Sequence, residues 1–227
     1  MPRQARIIIP GVPLHIIQRG NNRQACFYND RDYSNYLEWL GEYSQKSNCT
    51  IHAYVLMTNH VHLLLTPKFQ ESAAELMKHL GQRYVQYFNR KYGRSGTLLE
   101  GRFRSTVVQQ EMYMFACYKY IEMNPVRAGI VSDPEDYRWS SYRINAQGEK
   151  QGFIRPHQLY QDLAETDAER QRIYAEQFWH ELETSEVVQI RSATNGNFVL
   201  GNEQFTAKIG KMFGQNVSPR KPGRPFI

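Results

Sequence analysis

The segment Cys49 to Thr66, "CTIHAYVLMTNHVHLLLT", limits the folds open to this chain more than any other. Two runs rich in β-branched and apolar residues flank the polar pair Thr58 and Asn59, and Pro67 follows. Short runs with a two-residue polar break read as an antiparallel β-hairpin. Side chains two apart on a strand point to the same side. His60 and His62 therefore share one side, while Val61, Leu63 and Leu65 take the other. Two neutral imidazoles on a rigid strand form half of a divalent-metal site. The same spacing also describes two half-exposed strand histidines with no chemical task.

The flanking segments place the hairpin in a fold. "VPLHIIQR" (12–19) reads as a strand and "GNNR" as a polar turn. Tyr36, Leu37, Leu40 and Tyr43 recur at helical spacing over 32–46, with Asp32 as the start. A second helix spans 72–92 with the stripe Leu76, Leu80, Tyr84 and Phe88, and with Ser72 and Glu75 at capping-box spacing. "RFRSTVVQ" (102–109) reads as a fourth strand. A third helix covers 111–124 and stops before Pro125, which disfavours helix at its predecessor.

Strand, helix, strand, strand, helix, strand is the split βαβ, ferredoxin-like order. The fold class expected is α+β: a ferredoxin-like antiparallel sheet with helices on one face and the other face free, plus an added helix. Past "DYRWSSY" the pattern turns charged and helical over 157–184, and two short helices are expected within 186–213. The boundaries expected are a domain at 1–148, a mainly helical C-terminal extension at 149–213, and a basic flexible tail at 214–227.

Composition excludes several classes. In 227 residues no apolar run approaches the roughly 20 that span a bilayer. Ile7 to Ile9 is too short for the core of a secretory signal, so a cytoplasmic protein without membrane partners is expected. Cys26, Cys49 and Cys117 form no CxxC pair, which argues for buried free thiols over a disulfide framework or zinc knuckle. A net charge of +6, with 15 Tyr and 11 Phe beside 28 Lys and Arg, suits nucleic acid. Cations meet phosphates and rings stack on bases.

"YKYIEMNPVRAG" (118–129) adds chemistry to the histidine pair. Tyr120 and Asn124 lie four apart on one expected helix and share a face. The Asn124 amide oxygen is a hard ligand suited to magnesium or manganese. A helix packed near the hairpin would hold a metal between two histidines and an amide, beside a tyrosine hydroxyl. Such an ion polarises a phosphodiester, and tyrosine serves as a nucleophile in covalent catalysis. Glu122 competes as a ligand by type but faces away from Tyr120. Core packing is the alternative task for Tyr118 and Tyr120.

"NHVHLLLTP" together with "YIEMNPVRAGIV" resembles the HUH single-tyrosine transposases, and within them the REP-associated tyrosine transposases of bacteria. "GVPLHIIQRGNNRQACFYNDRDY", "GTLLEGRFRS" and "DYRWSSY" extend the likeness over about residues 10 to 143. Thr58 stands where the family often has proline, and "LLEGRF" where an aromatic or glutamine is common before Gly-Arg. The resemblance implies a metal-dependent DNA transposase using Mg or Mn. By that likeness His60, His62 and Asn124 are metal ligands and Tyr120 is the nucleophile. It implies a 5′-phosphotyrosine link with release of a 3′-hydroxyl, and rejoining by the reverse attack. The implied substrates are single-stranded hairpins, the repetitive extragenic palindromes. Related transposases can be homodimers exchanging tyrosine helices, whereas the REP-associated branch implies a monomer; the place of action implied is the bacterial nucleoid.

DNA contacts are expected from the first strand and its loop: His15, Arg19, Asn21, Asn22 and Arg23. Arg102 and Arg104 alternate with Phe103 and Ser105, which puts both cations on one face toward backbone phosphates. "PRKPGRP" (219–225) is similar to an AT-hook, with Arg224 as the minor-groove residue. Two rival functions remain at this point. A non-catalytic ferredoxin-like nucleic-acid-binding module accounts for the charge and rings. A metal-dependent phosphodiesterase using water would share the metal site without a covalent intermediate.

Overall fold

The computed structural model describes residues 6–178 and 182–218. Arg224 and the AT-hook-like segment lie outside the described residues. The elements run β1 (Leu14–Arg19), α1 (Asp30–Lys46), β2 (Cys49–Met57), β3 (His60–Pro67), α2 (Ser72–Tyr92), β4 (Arg104–Val108), α3 (Gln110–Glu122) and α4 (Asn124–Arg127). There follow α5 (Tyr142–Gln147), α6 (Gln158–Gln161), α7 (Asp167–Glu176), α8 (Thr184–Gly196), β5 (Val199–Leu200) and α9 (Glu203–Phe213).

One sheet has the order β2-β3-β1-β4-β5. The first four strands are antiparallel and follow the ferredoxin-like order, whereas β5 runs parallel to β4. Met57 pairs with His60, so Thr58 and Asn59 alone turn the hairpin. The register Ile17↔His62 and His15↔Leu64 puts His15, Ile17 and His62 on one face.

Helices α1 and α2 pack together on the opposite face, as the split βαβ order requires. The face expected to be free is covered instead. Helix α3 lies on β2 and β3, and α8 lies on β1 and β4. The reason is visible in β3, where Leu63, Leu64 and Leu65 are all fully buried. An unbroken apolar run needs cover on both faces, whereas a half-exposed strand alternates. The C-terminal extension supplies much of that cover. It also adds β5 to the sheet edge through Val107↔Val199, so it shares the core rather than standing apart.

Several element ends differ from expectation for local reasons. Helix α1 starts at Asp30 behind the N-cap Asn29, and Asp32 is the third helical residue of a capping box. The Asp32 carboxylate also accepts from the Tyr87 and Tyr92 hydroxyls and pairs with Lys91 at 2.6 Å, tying α1 to α2. Ser72 forms no capping box with Glu75; its hydroxyl accepts from the Phe69 N–H at 3.1 Å. Helix α3 stops at Glu122, and Asn124 opens a separate short turn. Pro125 has no N–H, and its ring crowds the carbonyl four residues back.

Glu122 is the knot that fastens α3 to α5 and, through Tyr174, to the extension. It is fully buried and faces away from Tyr120. Its carboxylate accepts from Ser141 Oγ (2.6 Å), Asn145 Nδ2 (2.8 Å) and Tyr174 Oη (2.7 Å). Burial pushes its carboxyl up to about 7 against those three bonds. The three cysteines are free and buried, as expected.

Candidate active site

β3 presents His60 and His62 to a polar cleft of about 460 Å³. Tyr120 from α3 and Asn124 from the start of α4 line the same cleft, in the same chain. Arg19, Arg23 and Asn59 form one wall; Arg191, Thr194 and Asn195 of α8 form another. The His60 and His62 rings lie perpendicular (82°), centroids 5.1 Å apart. Tyr120, 5% exposed, sets its ring 5.7 Å from His62 and 5.6 Å from His15. The Arg127 guanidinium lies 4.5 Å over the Tyr120 ring and donates to the Tyr120 carbonyl.

Both cleft histidines are held neutral. Burial, then Arg19, lowers His60 to about 4. Burial first, then His15, His60, Arg127 and Arg19, hold His62 well below the usual range. A neutral imidazole is the metal-binding form. The Nδ1 atoms are engaged inside the protein, His62 with His15 at 2.8 Å and His60 with Asn59 at 2.6 Å. That leaves Nε2 of each as the nitrogen that could meet a metal. Among the described residues no three His, Cys, Asp or Glu side chains are grouped so that they could hold a metal ion. The donor set that fits a divalent ion is therefore two imidazoles and the Asn124 amide oxygen, a mixed set suited to manganese or magnesium.

The other expected residues divide into three groups. Arg19 and Arg23 line the cleft. Arg23 and Asn22 both have left-handed backbone (φ 59° and 51°) within the 3-10 turn Asn21–Arg23. A left-handed arginine is uncommon and marks a loop held in shape by its surroundings. Gly20 shows how tight that loop is: a Cβ there would meet the Gln24 carbonyl oxygen at 2.1 Å. Asn21 and Asn22 sit on this loop without lining the cleft.

Arg102 and Arg104 lie farther along. They share a small cleft with Ile17, Arg19, Glu100 and Asn195, which leads to a cleft of about 270 Å³ that also holds Arg6 and Phe103. Arg104 donates to Asn195 Oδ1 at 3.2 Å. Ile17, Arg19 and Asn195 join the first cleft to the second, and Glu100, Arg102, Arg104 and Asn195 join the second to the third, so a mainly basic track broken by Glu100 runs from the histidines to Arg6. His15, expected to touch DNA, is instead fully buried, with Nε2 on His62 and Nδ1 on Thr194 Oγ1 at 2.9 Å. It presents no atom to a strand.

Sequence reasoning missed Asn59, Arg127, Arg191, Thr194 and Asn195. Asn59 and Arg127 sit inside the two motifs and were legible by position. The α8 residues carry no local signal, because only the tertiary seat of α8 brings them to the cleft.

The model of the family described as "Transposase IS200 like" matches residues 9–124. Among solved structures, the fold is similar to a REP-associated tyrosine transposase bound to a REP hairpin. The TM-score is 0.52 at 19% identity, covering 69% of this chain and 93% of that one. A transposase-like protein from Deinococcus radiodurans R1 aligns at 16% identity and TM-score 0.37, over 51% of this chain and 94% of that one. No curated protein matches the chain. Among the described residues no helix is long and apolar enough to cross a membrane. The family match spans both histidines, Tyr120 and Asn124, and on it the chain belongs to the IS200-like transposase family.

Proposed function

We propose that this chain is a metal-dependent transposase of the REP-associated branch, which cleaves and rejoins single-stranded hairpin DNA through Tyr120. The observation that carries the reading is the convergence of Tyr120, His60, His62 and Asn124 on one cleft within one chain. His60, His62 and Asn124 would hold a Mg or Mn ion. When bound, such an ion supplies positive charge to a scissile phosphate and orients it.

The chain's own residues do the rest. Tyr120 Oη attacks phosphorus and loses its proton as the new P–O bond forms. The bond from phosphorus to the DNA O3′ breaks, and that oxygen leaves as a 3′-hydroxyl after taking a proton. The result is a 5′-phosphotyrosine. A 3′-hydroxyl attacking that link reverses the step and frees Tyr120. The Arg127 guanidinium keeps positive charge beside the reacting ring. Arg19, Arg23, Arg102 and Arg104 grip strand phosphates along the track. Asn21 and Asn22 read the DNA from the adjoining loop, and Arg224 adds a contact from the tail.

Within this reading residues 1–148 carry the chemistry, 149–213 wall the cleft, and 214–227 serve as a basic tail. Tyr120 stands beside histidines of its own chain, which supports a monomer as the working unit. Repetitive extragenic palindromes are the substrate class the sequence motifs favour, at the bacterial nucleoid.

The test is incubation with end-labelled single-stranded hairpin DNA and Mg or Mn, followed by a denaturing gel. A protein–DNA adduct lost in Tyr120→Phe supports the reading. Cleavage that survives in Tyr120→Phe points to a hydrolase using water. Binding without cleavage across a panel of hairpins points to a non-catalytic module.

A further inference from the structure

The proposed ligands work only if each imidazole turns a bare nitrogen to the cleft. A neutral imidazole has two tautomers, and only one leaves Nε2 bare. Free histidine favours the other, with the proton on Nε2. The hydrogen bonds around the pair decide the matter, and both chains of bonds end at a backbone carbonyl, which can only accept.

The first chain starts on α8. Thr194 Oγ1 lies 2.8 Å from the Ile190 carbonyl oxygen, so the hydroxyl proton is committed there. Oγ1 is then an acceptor toward His15 Nδ1, at 2.9 Å. His15 therefore carries its proton on Nδ1. Being neutral and fully buried, it leaves Nε2 bare. His62 Nδ1 lies 2.8 Å from that nitrogen and must donate, so the His62 proton is on Nδ1 and Nε2 is bare. The second chain starts at the 20–23 loop. Asn59 Nδ2 donates to the Arg23 carbonyl at 3.1 Å, which orients the amide. Asn59 Oδ1 then faces His60 Nδ1 at 2.6 Å and accepts its proton, leaving His60 Nε2 bare.

We propose that Thr194 and His15, and separately Asn59, are positioning residues that preset the tautomers of His62 and His60 before any metal arrives. The inference rests on the reading of His60 and His62 as metal ligands. It also assigns a task to the C-terminal extension: Thr194 lies outside the matched region 9–124, yet the hydrogen-bond chain that orients His62 begins with it. Partners behind metal-bound histidines commonly change metal affinity 10- to 100-fold when removed, on the order of one to two decades.

The experiment is long-range ¹H–¹⁵N correlation on metal-free, ¹⁵N-histidine-labelled full-length protein at neutral pH, paired with Mn²⁺ titration. The wild type is expected to show a protonated Nδ1 and a bare Nε2 at His15, His60 and His62. Thr194→Val removes the acceptor for His15 Nδ1–H at nearly constant volume. His15 is then expected to move its proton to Nε2, and His62 to follow. Mn²⁺ affinity should fall about 10- to 100-fold, while the His60 signals stay unchanged. Thr194→Ser should restore the His62 tautomer and the affinity, which a merely space-filling role would not do.

A wild type with protonated Nε2 on His62 overturns the proposal. So does a folded Thr194→Val variant with the wild-type His62 tautomer. The expected tautomers without Mn²⁺ binding in any variant would support the relay and overturn the metal reading on which it rests.

Discussion

The Tyr120 and His62 rings stand perpendicular (86°), centroids 5.7 Å apart, across the gap between α3 and β3 of a single chain. This relationship makes the histidine pair part of a cleft with a candidate nucleophile. The stiffness of both supports preserves it. β3 is an interior, buried strand, and α3 is held by the Glu122 knot.

Removing a ligand should separate chemistry from binding. His60→Ala and His62→Ala are each expected to reduce metal-dependent cleavage more than about 100-fold, since the donor set has only three members. Hairpin binding, carried by the arginines, should change little. Cleavage rates and a gel shift on the same preparations check this. Near-wild-type cleavage in either variant contradicts the ligand assignment.

The basic track should announce itself through salt. Arg102→Ala and Arg104→Ala should each weaken hairpin binding across sequences. Each should also lower the slope of log affinity against log salt by about one unit. Arg191→Ala, from the far wall, is expected to do the same. Binding isotherms at several salt concentrations provide the readout. Slopes equal to wild type would place the strand elsewhere.

Glu122 should matter for folding more than for DNA. Glu122→Ala strands the Ser141, Asn145 and Tyr174 donors and is expected to cost about 3 kcal/mol. Glu122→Gln keeps the shape and an acceptor and should stay within about 1 kcal/mol of wild type. Urea unfolding of both variants measures the difference.

Acid should unfold the protein partly through His52. This side chain is buried, with Nδ1 2.7 Å from the Arg155 carbonyl and Nε2 2.8 Å from Thr66 Oγ1. Burial, with a smaller contribution from His157, lowers it to about 4, against the Arg155 bond. Between pH 6.5 and 4 the unfolded chain binds this proton and the folded chain does not, so stability falls as pH falls through that window. The full effect is about 3 kcal/mol below the folded value. His52→Gln should flatten the stability-versus-pH slope there by up to about 1.4 kcal/mol per pH unit. Urea midpoints from pH 7 to 4 test it, and an unchanged slope contradicts it.

Much of this architecture was legible because the local signals were strong and mutually consistent. The two-residue turn at Thr58 and Asn59, the helix at 72–92 and the ferredoxin-like strand order all follow from periodicity and turn chemistry. The strand order alone points to a free sheet face, whereas Leu63, Leu64 and Leu65 point the other way: three consecutive apolar residues serve two faces. The burial of His15 is hidden from the sequence for a different reason. A histidine on a strand beside a polar loop looks outward, and only the seat of α8 reveals that Thr194 closes over it. Arg191 and Asn195 were invisible for the same reason, since their place depends on contacts distant in sequence.

The most direct measurement is mass spectrometry after trypsin digestion of the protein incubated with hairpin DNA and Mg or Mn. Trypsin cuts after Lys119 and Arg127, releasing the peptide Tyr120–Arg127. The account predicts that this peptide carries a 5′-phosphate-linked nucleotide remnant on Tyr120, and that Tyr120→Phe abolishes both remnant and cleavage. Cleaved DNA with no modified peptide, or a remnant on Tyr118 or another residue, would contradict it.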